Sequence, residues 1–318
     1  MSPAERALRR RIRRRVAAAA PELVRYQLAT YELIRSLLNE AELTAAIADG
    51  TIDAVLTKLL SDDLTDPVFN RIRSALNMLV IDASQQAAHD LPAAFQAAFD
   101  AFDPHLGRAG TRLSTKVIQG LKGEVRETVR QRAMAGIAAG ENPRATARAM
   151  RGVLGLAPNQ EEAVRNFERM LRAGDRQALT RALRDHRFDA TLAKALGKGG
   201  TGLTEEQIRT MADAYRRRMI AFNAETHARS AALDINKLAQ RLSWEDAAAR
   251  GIVDRTRLMR TWVTVGDSRV RDEHREMNGT TVGFDDPYRN GEMIPGESTY
   301  NCRCIERIWL SAEVRLAA

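Results

Sequence analysis

Helical periodicity runs through this 318-residue chain from about residue 21 to 196 and again toward Gln240, and beyond about residue 257 it gives way to a texture of period two rich in Gly and Pro. A 3.6-residue apolar repeat is buried as helix against helix or sheet, and a period of two as strand, so this switch dictates the broad architecture. Leu23, Leu28, Leu33, Ile34, Leu37 and Leu38 recur at the three-and-four spacing of an amphipathic helix. Asp49-Gly50 interrupts them, a second helix is expected over Ile52 to Leu60, and Thr65-Asp66-Pro67 opens another that includes Ile72, Leu76, Leu79 and Val80. Further helices are expected from Pro92 to Phe102 and from Thr111 to Ala139. The second of these contains Gly120, Gly123 and Gly136, each weakening a helix interior by about 1 kcal/mol. Asn142-Pro143 opens a helix to Val153, and Asn159 suits an N-cap for Gln160 to Arg172. After the glycine-rich linker 197–202, Thr204 and Gln207 have capping-box spacing ahead of a long helix, broken at most once, toward Gln240.

Past the switch, Trp262 to Val265, Thr280 to Phe284 and Cys302 to Leu310 read as strands. Asp267 or Ser268 can cap a short helix through Met277, and residues 285–301 suit a long ordered loop. The expectation is a mainly α fold, a helical N-terminal region followed by a small α+β C-terminal domain. Its divisions are a basic arm over 1–20, a helical region over 21–200 and the α+β domain over 201–318.

Charge narrows the partners. The chain carries 49 Lys and Arg against 41 acids, a net charge of +8, and a pI near 9.9. The excess is local: Arg6, Arg9, Arg10, Arg11, Arg13, Arg14 and Arg15 follow Glu5 without an intervening acid. The run reads either as a DNA-binding segment or as a solvated, poorly ordered arm. Without interleaved aromatics, any DNA contact is to phosphates rather than bases. No apolar stretch approaches the roughly 20 residues of a membrane span, and the Ala-rich piece ending at Pro21 is too short for a signal peptide. A soluble protein made in a cytoplasm is expected.

Only two cysteines occur, Cys302 and Cys304, which excludes a disulfide framework. On a strand both would project from one face. Asp267 and His274, seven apart, would share a helix face. Two thiolates, an imidazole and a carboxylate could complete a tetrahedral zinc site. The same residues could equally be a small buried pair, a helix cap and a hydrogen-bonded imidazole, and spacing favours that second reading. A cysteine nucleophile with His274 as base and Asp267 as its orienter is the enzyme alternative. No nucleophile elbow, phosphate loop or HExxH motif accompanies it, so no enzyme is expected.

The segment from Trp262 through Gly266-Asp267-Ser268-Arg269-Val270-Arg271 to His274, then Met277-Asn278-Gly279 and Asn301-Cys302-Arg303-Cys304, resembles the phage Mu F-like minor head protein family. That family is also known as the SPP1-type head morphogenesis family. Residues 205–308 carry the specific likeness; a looser one covers 136–172. The resemblance implies a minor capsid protein of a tailed phage or phage-like particle. Its expected partners are the portal protein, the major capsid or scaffold protein and double-stranded DNA, with no membrane. Its expected location is the capsid interior or portal vertex, after assembly in the host cytoplasm. A DNA-binding assembly factor not retained in the particle is the alternative. The resemblance also brings Asp267, His274, Cys302 and Cys304 together in one motif, leaving a structural zinc site and a purely hydrogen-bonded core equally open. With Ala318 fourteen residues beyond Cys304, a fused toxin domain of the kind some relatives carry is not expected.

Overall fold

Ten described α-helices and a three-stranded antiparallel sheet account for the chain's two textures. The computed structural model describes residues 3–88, 104–197, 200–299 and 301–312. Among the described residues, nine α-helices precede the sheet: α1 (Pro3–Leu37), α2 (Glu40–Asp49), α3 (Ile52–Leu59), α4 (Asp62–Ala88), α5 (Pro104–Ala138), α6 (Pro143–Gly152), α7 (Pro158–Arg172), α8 (Asp189–Ala195) and α9 (Glu205–Ala249). Then come β1 (Leu258–Val263), the short α10 (Asp272–Glu276), β2 (Thr281–Gly283) and β3 (Ile305–Leu310). The mainly α class with a small sheet near the C-terminus is as the sequence leads one to expect.

Several boundaries move, each for a local reason. The arginine run, read either as a DNA-binding segment or as a poorly ordered arm, is helical: it forms the first turns of α1, which continues through Pro21. A proline inside a helix removes one hydrogen bond and costs about 3 kcal/mol, and buried Leu8, Ile12 and Leu23 hold the helix on both sides of it. The helix α9 is one unbroken rod of 45 residues, begun by the expected Thr204–Gln207 capping box. The cap of α7 is Ala157 rather than Asn159, with the Gln160 side chain accepting from the Ala157 N–H. The helix expected over Pro92 to Phe102 lies outside the described residues. Gly136 weakens α5 on propensity, yet a Cβ there would come within 2.5 Å of Thr146 Oγ1, so its absence lets α6 approach.

Two compact units divide the chain: residues 1–26, 70–117 and 225–318 form the first, and residues 27–69 and 118–224 the second. Their boundaries fall inside α1, α4, α5 and α9. In the second unit, α2 packs on α3 and α6, and Glu40 bridges Arg144 and Arg148 of α6. The buried Asn223 side chain donates to Glu124 and to the Gly155 carbonyl.

In the first unit the sheet order is β2-β1-β3. Register pairs Trp262 with Glu306, Arg260 with Ile308 and Val263 with Ile305. Val263 and Ile305 meet Leu8 and Ile12 of α1 and Leu233 of α9 in one apolar cluster. Leu258, Phe284 and Ile308 meet Trp244 and Ala247 at the far end of α9. Among the described residues no helix is long and apolar enough to cross a membrane.

Candidate metal centre

Three segments converge here: the α10 turn, the loop 285–299 and the stretch leading into β3. Cys302 and Cys304 sit in this extended stretch just before the strand rather than on it. The residue ahead of them, Asn301, adopts φ 58°, a left-handed conformation that Asn tolerates far better than β-branched residues. Its N–H donates to Ser230 Oγ of α9. That bend turns both cysteine side chains inward, onto His274 of α10.

His274 Nδ1 lies 3.4 Å from Cys302 Sγ and 3.7 Å from Cys304 Sγ, and all three side chains are buried. The three ligand atoms lie within 4.8 Å of one another. Tetrahedral zinc, with Zn–S about 2.3 Å and Zn–N about 2.0 Å, requires an N···S separation of about 3.5 Å. The observed distances bracket it, so this group could hold a metal ion.

The electrostatics suit anionic sulfur. The Cys304 thiol hydrogen-bonds the Cys302 sulfur and holds Cys302 well below the ordinary thiol range, helped by the Lys237 ammonium and by His274. The same bond, burial and the charge on Cys302 raise Cys304. Trp262, edge-on to His274 at 5.4 Å between centroids, has a buried Nε1 with no hydrogen-bond partner among the described residues. It packs in one buried cluster with Cys302 and Cys304. A metal-bound thiolate, which keeps its negative charge, is the group such an orphaned N–H would serve.

Asp267 stands apart from the three. Its carboxylate takes both Nη atoms of Arg303 at 2.6 Å. That bond, with the Arg269 N–H, lowers it to about 2. It caps no helix: α10 begins at Asp272, and Asp267 instead closes a tight turn through the Arg269 N–H. Because Arg303 lies between the two cysteines, the Asp267–Arg303 pair ties the segment entering α10 to the Cys-x-Cys stretch. The structure therefore brings His274, Cys302 and Cys304 together and uses Asp267 as a strut.

Sequence reading missed the groups that hold the loop over this centre. Ser230, Lys237 and Arg241 fall at i, i+7 and i+11 on α9, one face of a helix. Lys237 Nζ, fully buried, donates to the Pro295 carbonyl at 2.7 Å, and Arg241 reaches the carbonyls of Met293 and Phe284. Within the loop, the Glu292 carboxylate accepts from the N–H groups of Gly296 and Ser298. Burial, which would raise Glu292, is outweighed by these bonds and by the Ser298 hydroxyl, so it sits lowered. Gly296, at φ 77°, packs so close that a Cβ would fall 2.3 Å from Cys302 Sγ. Next to the centre, buried Arg260 pairs with Glu306 at 3.2 Å and stacks 5.0 Å from the Tyr288 ring. Burial raises Glu306 and Tyr288 alike. The signal for these residues was polar and charged side chains at seven- and eleven-residue spacing on one face of α9, and charged residues among the apolar positions of the strands.

The arginine run lies in the same unit, and Arg9 comes within electrostatic reach of Asp267, Arg303 and Cys304. Arg9 donates to the Val265 carbonyl at 2.9 Å and Arg15 to the Gln86 carbonyl at 2.9 Å. Arg6, Arg10, Arg11, Arg13 and Arg14 are exposed.

A family model described as Phage Mu protein F like protein matches residues 127–306, more than half of the chain and every residue of the candidate centre. No curated protein and no solved structure matches the chain significantly.

Proposed function

Because the chain belongs to the phage Mu protein F-like family of head morphogenesis proteins, we propose that it is a minor head protein retained in the particle. It would bind the portal protein or the inner capsid wall, meet the major capsid or scaffold protein during assembly in the host cytoplasm, and touch packaged double-stranded DNA. The observation that carries this reading is the family match over residues 127–306. The net charge of +8 and an arginine-bearing helix support the DNA contact, since phosphate is the dominant surface inside a filled capsid.

The role is structural rather than enzymatic. Cys302 and His274 are close enough to act as nucleophile and base, but both are buried under Gly296, Trp262 and Tyr288. Zinc suits the borderline-soft donor set of His274 Nδ1, Cys302 Sγ and Cys304 Sγ. Once bound it would cross-link α10 to the stretch entering β3 and add folding energy to a three-stranded sheet with a thin core.

Quantitative peptide mass spectrometry on purified mature particles tests the reading. The expected result is a low, fixed copy number comparable to that of the portal protein. Absence from particles with abundance in the lysate would overturn retention and favour an assembly factor.

A further inference from the structure

We propose that the outward face of α1, carrying Arg6, Arg10, Arg13 and Arg14, is a sequence-independent phosphate-binding face for duplex DNA, while Arg9 and Arg15 hold the helix in place. The proposal rests on the DNA-contact reading above and says which arginines make the contact. Leu8, Ile12 and Val16, four apart, form one face of α1 and pack on Leu233, Val263 and Ile305. At about 100° per residue, Arg6, Arg10, Arg13 and Arg14 span an arc of about 100° roughly opposite that apolar face. All four are exposed. Arg9 and Arg15 lie outside this arc, and their guanidinium groups are bonded to the Val265 and Gln86 carbonyls. Glu5, the acid of these first turns, reaches Arg307 at 3.9 Å.

The chemistry of the face selects the ligand. Arg6 to Arg14 span about 12 Å of helix axis, against which a duplex presents about seven phosphates. A bilayer would need the apolar side of the helix, which is already buried on the sheet. A single strand would need stacking platforms, and the helix has no aromatic residue before Tyr26.

The test is fluorescence anisotropy of the full-length chain on a random-sequence 30-base-pair duplex across a salt series. It compares the wild type with R6Q/R10Q/R13Q/R14Q and with R9Q/R15Q. Glutamine keeps helix propensity, and circular dichroism checks that α1 persists. The quadruple variant is expected to lose about 3.6 from the slope of log K against log salt, at about 0.9 per phosphate. Those contacts correspond to an affinity falling about 150-fold between 50 and 200 mM salt. R9Q/R15Q should melt earlier yet keep a slope within about one unit of wild type. A quadruple variant with wild-type slope overturns this assignment while leaving DNA contact standing. A wild type that fails to bind the duplex at any salt, or binds only anionic phosphatidylserine vesicles, overturns both.

Discussion

Asp267 shows how a residue's role follows from its neighbours rather than its type. Spacing allowed it to be a fourth zinc ligand beside His274, Cys302 and Cys304 but favoured a helix cap; in the structure it grips Arg303 with both oxygens and lies outside the three-residue group. The difference is testable. Purified wild type is expected to carry near-stoichiometric zinc by elemental analysis, with Cys302→Ser losing it. Gly296→Ala should lose most of it as well, because its Cβ would occupy the place of the Cys302 sulfur. Asp267→Asn, which keeps the shape but drops the charge pairing, should retain the metal. Equal loss in Asp267→Asn and Cys302→Ser would make Asp267 a ligand after all, and metal-free wild type of full stability would sink the zinc reading. His274 and the cysteine pair were legible in the sequence because their chemistry is rare in this chain. Lys237 and Glu306 were not, since a buried charge looks like any surface charge until its partners are seen.

At the scale of elements, α1 and α9 do more than their periodicity announces. The first turns of α1 looked like an arm because seven arginines obscure Leu8, Ile12 and Val16, three apolar positions four residues apart. Burial against the strand carrying Val263 turns that weak stripe into a docked helix. Ile12→Ala should therefore destabilise the protein by about 2–5 kcal/mol, as cavity-forming Ile substitutions do. It should also speed limited trypsin cleavage at Arg13 and Arg14. A variant with wild-type melting temperature and cleavage rate would mean that α1 does not dock there. The long helix α9 has the opposite history: its capping box and length were readable from Thr204 onward, but its continuity past Gln240 depends on Leu242, Trp244 and Ala247 packing against their surroundings. Strand starts shifted for a similar reason, since Leu258 and Arg260 join β1 only because β2 and β3 flank them.

Across the whole molecule, paired carboxylates set the response to acid. Arg187 lowers Asp185 from 3.8 to about 2, and Arg303 does the same for Asp267. Glu40, Glu141, Asp189 and Asp285 are lowered by their own arginine partners. Each such group binds protons more readily when unfolded, so its stabilisation is complete above the unfolded value and lost as pH falls through the folded one. Melting temperature is expected to fall steeply between pH 4 and 2, and thermal scans across that window check it. Glu161 and Glu306, raised mainly by burial, act in the opposite sense as pH rises above their unfolded range. A stability profile that is flat down to pH 2 would mean that these ion pairs contribute nothing to folding.

By itself the sequence determined the helical class, the small terminal sheet and the motif that marks the family, and it offered Asp267, His274, Cys302 and Cys304 as candidates without separating them. All of these are written in local periodicity or in rare side chains at short spacing. Tertiary structure alone decided that α1 docks, that Asp267 pairs with Arg303, and that Lys237 and Arg241 bond the carbonyls of the loop beside the cysteines. It also decided that the compact units interleave along the chain instead of following one another. Those outcomes depend on contacts between segments tens to hundreds of residues apart, such as Arg9 with Val265. Such contacts form through burial and register, and neither leaves a periodic trace in the sequence.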